Sequence, residues 1–391
     1  MESNERRPMM RLNWMTALGV AAAILAAPAH AEEPPSNREL YELYKVQQEQ
    51  IDATADAVEN GEATGRWFEK TRLGGYGEVH FNFLKGSSGA KNKSEADFHR
   101  FVLFINHEYS DKIRFFSEIE LEHASAGEGA PGEVELEQAF IEFDLPLRIM
   151  ATGGLFLLPI GILNETHEPP TFYGVERNPV EKNIIPTTWW EGGGMLSRNF
   201  DHGLSTNLAI TTGLHADNES PFNIRSGRQK LAKADASDVA ITGRVVYRGV
   251  PGLELGVSAQ WSENIAATGS KTPATLFETH VIYERGPFGL RALYARWDLH
   301  SAAAEAAGKD EQYGFYVEPS FRINEWVGVF GRYNQFNTSA GSAGGTKRQY
   351  DIGFNFWPHE NVVLKIDGQF QSNQGGAEEL DGVNLGLGFI F

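Results

Sequence analysis

The sequence predicts an all-β fold, a 16-stranded antiparallel transmembrane β-barrel. Apolar and polar residues alternate with a period of two in many separate segments, as in strands with one apolar and one polar face. The connections between these segments alternate between short and long, and no apolar run reaches the roughly 20 residues that a membrane-spanning helix needs. A soluble sandwich has no reason to place all its long loops at one end, so these observations favour a membrane barrel.

The first residues have the three parts of a secretory signal peptide. Arginines precede an apolar run at 17–27, and the small residues Ala29 and Ala31 follow it with the spacing of a cleavage site. The apolar run is too short to span a bilayer. We therefore expect residues 1–31 to be a signal peptide that exports the chain.

A helical pattern occupies residues 37–60, within a predicted periplasmic segment at 32–66. Leu40, Tyr44 and later residues follow a 4-3 spacing, and Gly61 can end the helix. The pattern fits a short coiled coil between subunits, and it fits a monomeric helix about equally well.

The predicted barrel domain spans residues 67–391 and contains sixteen alternating segments. In one of them Leu253, Leu255 and Val257 alternate with polar or small residues. The predicted strands span residues 73–84, 97–109, 112–122, 133–144, 148–157, 191–199, 204–213, 238–248, 253–263, 275–284, 288–299, 311–322, 325–336, 347–357, 361–371 and 381–391.

Short connections such as 110–111 and 286–287 alternate strictly with long ones such as 85–96 and 214–237. Outer-membrane barrels have tight periplasmic turns and longer external loops. They also carry aromatic girdles at both membrane interfaces, and several aromatic residues lie near predicted strand ends. The predicted girdle residues are Trp67, Tyr76, Trp261, Trp297, Trp326 and Trp357.

Composition and motifs argue against several other classes of protein. The chain has 34 Lys and Arg against 52 Asp and Glu, a formal net charge of −18, and no cysteine. The acidic charge disfavours nucleic acid as a partner, and the lack of cysteine excludes disulfides, thiolate metal sites and a cysteine nucleophile. The HExxH, GxSxG and P-loop motifs are absent from the sequence. We therefore expect no catalytic residues, no metal site and no cofactor; a hydrolase site assembled across strands is a remote alternative.

The third long connection, residues 158–190, differs from the other long loops. It contains five of the seventeen prolines of the chain and many aromatic and aliphatic residues. An external loop would be polar, so we expect this stiff, apolar segment to fold into the barrel and narrow it. The alternative is a plug that only stabilises the wall. The predicted constriction residues are Glu165, His167, Glu168, Glu176, Arg177, Glu181 and Lys182.

The polar parity of the strands predicts which charged residues line the pore wall. Charges of opposite sign across a narrow lumen create a transverse field, whereas a ring of one sign selects ions of the other. The predicted pore-wall residues are Arg100, Arg114, Glu118, Glu120, Glu122, Arg244, Arg248, Arg322, Arg332 and Lys365, with Glu135 and Glu137 beside them.

The segment 153–194, GGLFLLPIGILNETHEPPTFYGVERNPVEKNIIPTTWWEGGG, resembles the phosphate-selective porin O/P family of Gram-negative outer membranes. The preceding GEVELEQAFIEF and the terminal GLGFIF are similar to this family as well. The resemblance implies a 16-stranded barrel in outer-membrane lipid, a homotrimer and an inward-folded third loop. It also implies that Phe391 is part of the C-terminal signal read by the outer-membrane assembly machinery.

The charge pattern favours a passive diffusion channel that is general or weakly selective for small hydrophilic solutes and ions. Basic residues are dispersed among as many carboxylates along the strands, and the acidic chain disfavours anion entry by long-range steering. Phosphate or anion selectivity, which the family name implies, is the alternative. The one dense basic run is expected to be the solvated face of an external loop: Arg225, Arg228, Lys230 and Lys233.

Overall fold

The computed structural model describes residues 67–216, 222–267, 269 and 271–391. The predicted signal peptide and the helical pattern at 37–60 lie outside these residues. The described part contains sixteen strands. They are β1 (Thr71–Ser87), β2 (Lys93–Ser110), β3 (Ile113–Glu122), β4 (Val134–Leu145), β5 (Ile149–Leu157), β6 (Trp190–Asn199), β7 (Leu204–Thr212), β8 (Val239–Val250), β9 (Leu253–Ser262), β10 (Ala274–Arg285), β11 (Phe288–Leu299), β12 (Glu311–Arg322), β13 (Val327–Asn337), β14 (Lys347–His359), β15 (Val362–Gln371) and β16 (Glu379–Ile390). Among the described residues, no helix combines the length and apolarity needed to cross a bilayer.

The strands form one closed antiparallel barrel, as predicted. Each strand pairs with its neighbours in the chain, and β1 pairs with β16 with Tyr76 opposite Ile390. The final residue extends this last pairing, because the backbone N–H and C=O of Phe391 both bond to Gly75 at 2.9 and 2.8 Å. Closure leaves no sheet edge with unpaired backbone groups, which hydrocarbon could not solvate.

The predicted strand boundaries are close to those observed, except in the first hairpin. Pairing of β1 with β2 continues to Leu84 opposite Lys93, so the connection is 88–92 rather than the predicted 85–96. The ends of β1 and β2 are rich in polar residues, so the alternating pattern did not predict that the strands continue there. The later alternation of short turns and long loops is confirmed, and we refer to the two ends of the barrel as the short-turn end and the long-loop end.

The barrel is apolar outside and polar inside. On β9 the side chains of Leu255 and Val257 are exposed, whereas Ser258 and Gln260 are 1% and 2% exposed. The other strands repeat this arrangement, with buried Asn, Gln, Asp and Glu on the inner face. A soluble protein buries its apolar face instead, so the outer surface is matched to hydrocarbon.

The predicted aromatic girdle is only partly correct. Trp261 and Trp326 are exposed on the outer surface, but Tyr76, Trp297 and Trp357 are buried. These three point into the barrel, where they pack against polar strands and against an internal loop described below. An aromatic residue near a strand end belongs to the girdle only when its side chain points out of the barrel toward lipid.

The close approach of β1 to β2 at Gly75 can be tested by substitution. A methyl group added at Gly75 would lie 2.1 Å from the carbonyl oxygen of Val102, whereas one added at Gly243 would meet nothing within 4 Å. We expect Gly75→Ala to destabilise the barrel by about 3 kcal/mol or more, since backbone must move to relieve the overlap. The temperature at which the folded band disappears on a detergent gel measures this loss. An unchanged temperature for Gly75→Ala, relative to Gly243→Ala, would contradict the close approach of β1 to β2 at this position.

Candidate functional site

The β5–β6 connection, residues 158–189, enters the barrel, and we call it the inner loop. It contains a 3-10 turn at Pro169–Thr171 and one short helix, α1 (Pro179–Asn183). Pro179 is at the first turn of α1, where its missing N–H costs nothing, and Asn178 caps the helix by accepting a bond from Glu181 N at 2.8 Å. The prolines thus fix the turns of a segment that has few regular hydrogen bonds.

An apolar cluster holds the inner loop against one side of the barrel. Leu158, Ile184 and Trp189 of the loop are fully buried and pack with the inward-facing Trp297 and Tyr316 of the wall. The indole N–H of Trp297 donates to the carbonyl oxygen of Ile184 at 3.0 Å. Burial of each large apolar side chain contributes about 1.5–3 kcal/mol, so this packing fixes the loop inside the barrel.

Glu181 organises the start of the loop and does not border open space. Its side chain is fully buried, and Oε1 accepts bonds from the backbone N–H groups of Ile162 and Leu163, both at 2.7 Å. Its second oxygen accepts a bond from the Tyr316 hydroxyl at 3.0 Å. The predicted constriction residue Glu181 is therefore a structural carboxylate in this fold.

Removing this carboxylate should loosen the inner loop. Glu181→Ala would leave two buried N–H groups without acceptors, at about 1–3 kcal/mol each. We expect trypsin to cleave the folded variant after Lys182 at least about tenfold faster than wild type, because cleavage follows local opening. Glu165→Ala is the matched control, since Glu165 is partly exposed and pairs only with Arg244. Equal cleavage of both variants would show that Glu181 does not hold the loop.

Basic wall residues hold the middle of the inner loop. Arg332 donates to the carbonyl oxygen of Tyr173 at 3.3 Å, and the Lys365 ammonium donates to that of Gly174 at 2.8 Å. Asp367 accepts a bond from Val175 N at 2.7 Å. Arg332 and Lys365, predicted as free pore-wall charges, are each 5% exposed and contact the loop. Sequence parity placed them inward but could not show that a loop covers them.

Other predicted wall residues face the interior toward the short-turn end. The guanidinium of Arg322 lies 3.7 Å from the centre of the Trp357 ring. Arg114 pairs with Asp144 at 2.6 Å, and Arg248 pairs with Glu254 at 2.7 Å. Neighbouring carboxylates thus offset most of these cations.

Arg244 lies in the middle of β8 and pairs with Glu165 of the inner loop. This ion pair connects the loop to β8, whereas Arg332 contacts it from β13. Two predicted loop residues also mark its path: the carbonyl oxygen of Glu168 accepts a bond from Thr171 N at 3.0 Å, and Glu176 accepts one from Asn82 on β1 at 3.1 Å.

Carboxylates from β3 and β4 form an acidic patch on the wall. Glu118, Glu120 and Glu137 are each 1–2% exposed, and Arg100 approaches Glu120 at 3.7 Å. The inner loop closes over this patch, since His167 Nε2 lies 3.5 Å from Glu118. Glu122 and Glu135 continue the patch toward the long-loop end and are partly exposed.

The described part of the β7–β8 connection, residues 213–216 and 222–238, also folds inward in part, which corrects the expected solvated loop. Phe222 and Ile224 are buried in the apolar cluster. Arg225 donates to the carbonyl oxygens of Lys182 and Thr187 at 2.9 and 3.0 Å. The apolar residues beside Arg225 therefore bring the start of the basic run into the barrel. The charge of the run had suggested a solvated loop, and these apolar neighbours were the sequence signal against it.

Two other members of the basic run follow Arg225. Arg228 donates to the carbonyl oxygen of Thr188 and lies over the Trp190 ring, and Lys230 pairs with Glu133 and Glu135. Lys233 lies farther along the same connection and is exposed. Only part of the run therefore reaches the interior.

A basic cluster forms where the two loops meet. We define it as Arg177 and Lys182 of the inner loop with Arg225 and Arg228 of the β7–β8 connection. Burial and the positive charges of Arg228 and Arg177 lower the pKa of Arg225 to about 9, so it is still protonated at neutral pH. The Nε and Nη2 atoms of Arg177 are buried without a hydrogen-bond partner. This cluster lies close to the acidic patch, so charges of both signs border the same part of the interior.

Comparison with known proteins places the barrel among porin structures. The channel DcaP of Acinetobacter baumannii aligns with a TM-score of 0.56 and 12% identity, over 82% of this chain and 97% of that chain. An anion-selective porin from Comamonas acidovorans aligns with a TM-score of 0.58 and 11% identity, over 82% and 99%. The outer membrane protein OmpT of Vibrio cholerae, solved in a trimer form, aligns with a TM-score of 0.55 and 9% identity, over 82% and 99%. These similarities show the fold of outer-membrane porins.

The sequence comparisons are less specific. A protein of Aquifex aeolicus (strain VF5), described as uncharacterized, is 28% identical over 337 residues, which cover 75% of this chain and 74% of that protein. No protein-family model matches the chain. Membership in the phosphate-selective porin O/P family therefore stays a prediction from the resemblance of residues 153–194.

Proposed function

We propose that the protein is an outer-membrane porin, a passive diffusion channel for small hydrophilic solutes and ions. The observation that carries this proposal is the combination of an apolar outer wall with a polar interior narrowed by a charged inner loop. The solved structures that share the fold support a channel in the outer membrane rather than an enzyme.

The charges at the constriction support general or weak selectivity. The basic cluster and the acidic patch border the same space, and Lys230, two residues after Arg228 of the cluster, pairs with Glu135 of the patch. Opposed charges orient polar solutes in a transverse field and do not strongly exclude ions of either sign. We therefore favour a weakly selective porin.

A specific observation favours the alternative, an anion- or phosphate-selective channel. The arginines are dispersed in sequence, but Arg100, Arg177 and Arg228 come close enough to Arg225 for their charges to help lower its pKa. Guanidinium groups bind phosphate oxygens in pairs, and the buried nitrogens of Arg177 have no protein partner. A phosphate at this point would satisfy them.

Several further assignments belong to the same proposal. We propose that residues 1–31 are a signal peptide, that 32–66 form a periplasmic helical segment and that 67–391 form the barrel domain. We also propose a homotrimer in outer-membrane lipid, which the trimer form of OmpT supports, and recognition of Phe391 by the assembly machinery.

Planar-bilayer recording of the purified protein tests the proposal. A reversal potential near zero or toward cations in a KCl gradient, without block by added phosphate, is expected for the weakly selective porin. Strong anion selectivity with saturable phosphate block would establish the alternative. A folded barrel without any conductance would contradict the channel itself.

A further inference from the structure

A cluster of histidines lies on the inner wall beside the constriction. Strands β1 and β2 place His80 opposite Asp97, and a β-bulge in β2 opposite Glu78 and Val79 leaves His99 as the extra residue. Because of this extra residue, the inward-facing parity of β2 changes at the bulge. Asp97 and His99 face the interior, and so does the next residue, Arg100. Bulges of this kind re-aim side chains near functional sites.

Three side chains of this cluster converge on one point. The Oδ2 atom of Asp97 lies 3.0 Å from Nδ1 of His99 and 2.8 Å from Nδ1 of His123, which follows β3. The side chains of Asp97, His99 and His123 are 13%, 26% and 34% exposed, so solutes inside the barrel can reach them. All three ligand atoms lie within 4.8 Å of one another.

This donor set has the chemistry of a transition-metal site. Two imidazole nitrogens and one carboxylate oxygen suit Zn²⁺ and similar divalent ions, and a fourth position is then open to water. Ligands about 2.0–2.1 Å from a tetrahedral ion lie about 3.3 Å apart, so small side-chain shifts would complete the coordination. Hard ions such as Mg²⁺ and Ca²⁺ prefer sites made of oxygen ligands.

A second, independent observation points to a cation at the same place. His80 is 4% exposed, and its Nδ1 atom has no hydrogen bond although it lies 3.3 Å from Oε1 of Glu176. The His80 ring stacks on His99 at 4.5 Å, and His80, His99 and Glu176 form another set of potential ligands. His99 is shared by both sets, and Glu176 belongs to the inner loop.

We propose that Asp97, His99 and His123 bind a divalent transition-metal ion from the barrel interior. The sequence pattern gave no sign of this site, because two of its ligands lie on β2 and the third lies in the connection after β3. The neighbouring His80–Glu176 pair connects the site to the inner loop, so a bound ion adds positive charge beside the constriction.

Calorimetric titration of the folded, tag-free protein in detergent with Zn²⁺ tests the binding. Wild type is expected to show one saturable site, and His99→Ala and His123→Ala are each expected to weaken it at least about tenfold, because loss of even an outer-shell partner weakens metal binding by about 10–100-fold. His359→Ala, which changes an exposed histidine at the short-turn end, is the matched control and should bind as wild type does. Detergent-gel mobility confirms that each variant is folded, and His123 is partly exposed, so its loss should not disturb the barrel.

The outcomes separate the two ligand sets. Binding that survives His80→Ala but is lost in His123→Ala supports the site proposed here. Binding that depends on His80 and not on His123 would overturn the assignment, and so would no saturable binding or equal binding by His99→Ala and wild type.

The effect on conductance rests on the proposed channel function. Micromolar Zn²⁺ is expected to change the single-channel current of wild type and not of His123→Ala. Calorimetry detects the ion without any current, so a failure of the channel proposal and a failure of the metal site are distinguishable. Binding without any change in current would overturn the placement of the ion beside the constriction.

Discussion

Deletion of residues 165–182 from the inner loop is expected to raise the single-channel conductance about twofold or more, because the narrowest point limits ion flow. The deletion removes the charged part of the loop together with α1 except for its last residue, Asn183. It leaves Leu158, Ile160, Ile184 and Trp189, which pack in the apolar cluster against the wall. The barrel should therefore still close while its constriction widens. Planar-bilayer recording measures the change.

The control for this deletion is a short deletion outside the barrel interior. Removal of residues 342–344, in the β13–β14 connection at the long-loop end, should leave the conductance unchanged. Both variants must retain the gel mobility of a folded barrel. If the folded 165–182 deletion conducts as wild type does, the inner loop is not the constriction.

Arg177→Glu is expected to shift the channel toward cation selectivity. Arg177 belongs to the basic cluster, and its buried nitrogens make no hydrogen bond that the substitution would break. Reversing one charge about 5 Å from a permeating ion changes its energy by about 1–2 kcal/mol in a water-like medium. The K⁺ to Cl⁻ permeability ratio should therefore rise several-fold, which the reversal potential in a KCl gradient measures.

The matched control is Lys112→Glu, which reverses a charge in the exposed β2–β3 turn at the short-turn end. Its effect should be small at physiological salt, because charges farther than about 8 Å are screened. A reversal potential that moves equally in both variants would mean that overall charge, and not the basic cluster, sets selectivity. No shift in Arg177→Glu would place the ion path away from the cluster.

The strands could be predicted from the sequence because the alternation of apolar and polar residues in each one reflects its two environments, lipid and the barrel interior. A strand between lipid and an aqueous interior must alternate, so the pattern around Leu255 and Val257 shows both the strand and the direction of its faces. The hydrophobicity and prolines of 158–190 likewise indicated a loop that packs inside. Both patterns are local, so they can be recognised without knowing which distant residues the segment contacts.

The roles of individual site residues depend on partners far away in the chain. Lys365 has inward parity, but its bond to the Gly174 carbonyl requires the path of the inner loop. Glu181 was predicted at the constriction and Arg225 on a solvated loop face, but the fold buries Glu181 and brings Arg225 to the inner-loop backbone. No sequence pattern singled out His99 and His123, which strand register and a bulge in β2 bring to the same carboxylate, Asp97.

The sequence of this protein was thus sufficient for the barrel, its strand number, its closure and the inward course of the inner loop. Period-two alternation, turn lengths and local apolarity are set by the bilayer and by residues nearby in the chain. They can therefore be read from a single sequence. The basic cluster, the loop-holding bonds of Arg332 and the histidine cluster required the folded structure. They arise from contacts between residues many positions apart, whose distances are set by strand register and by how two loops pack inside the barrel.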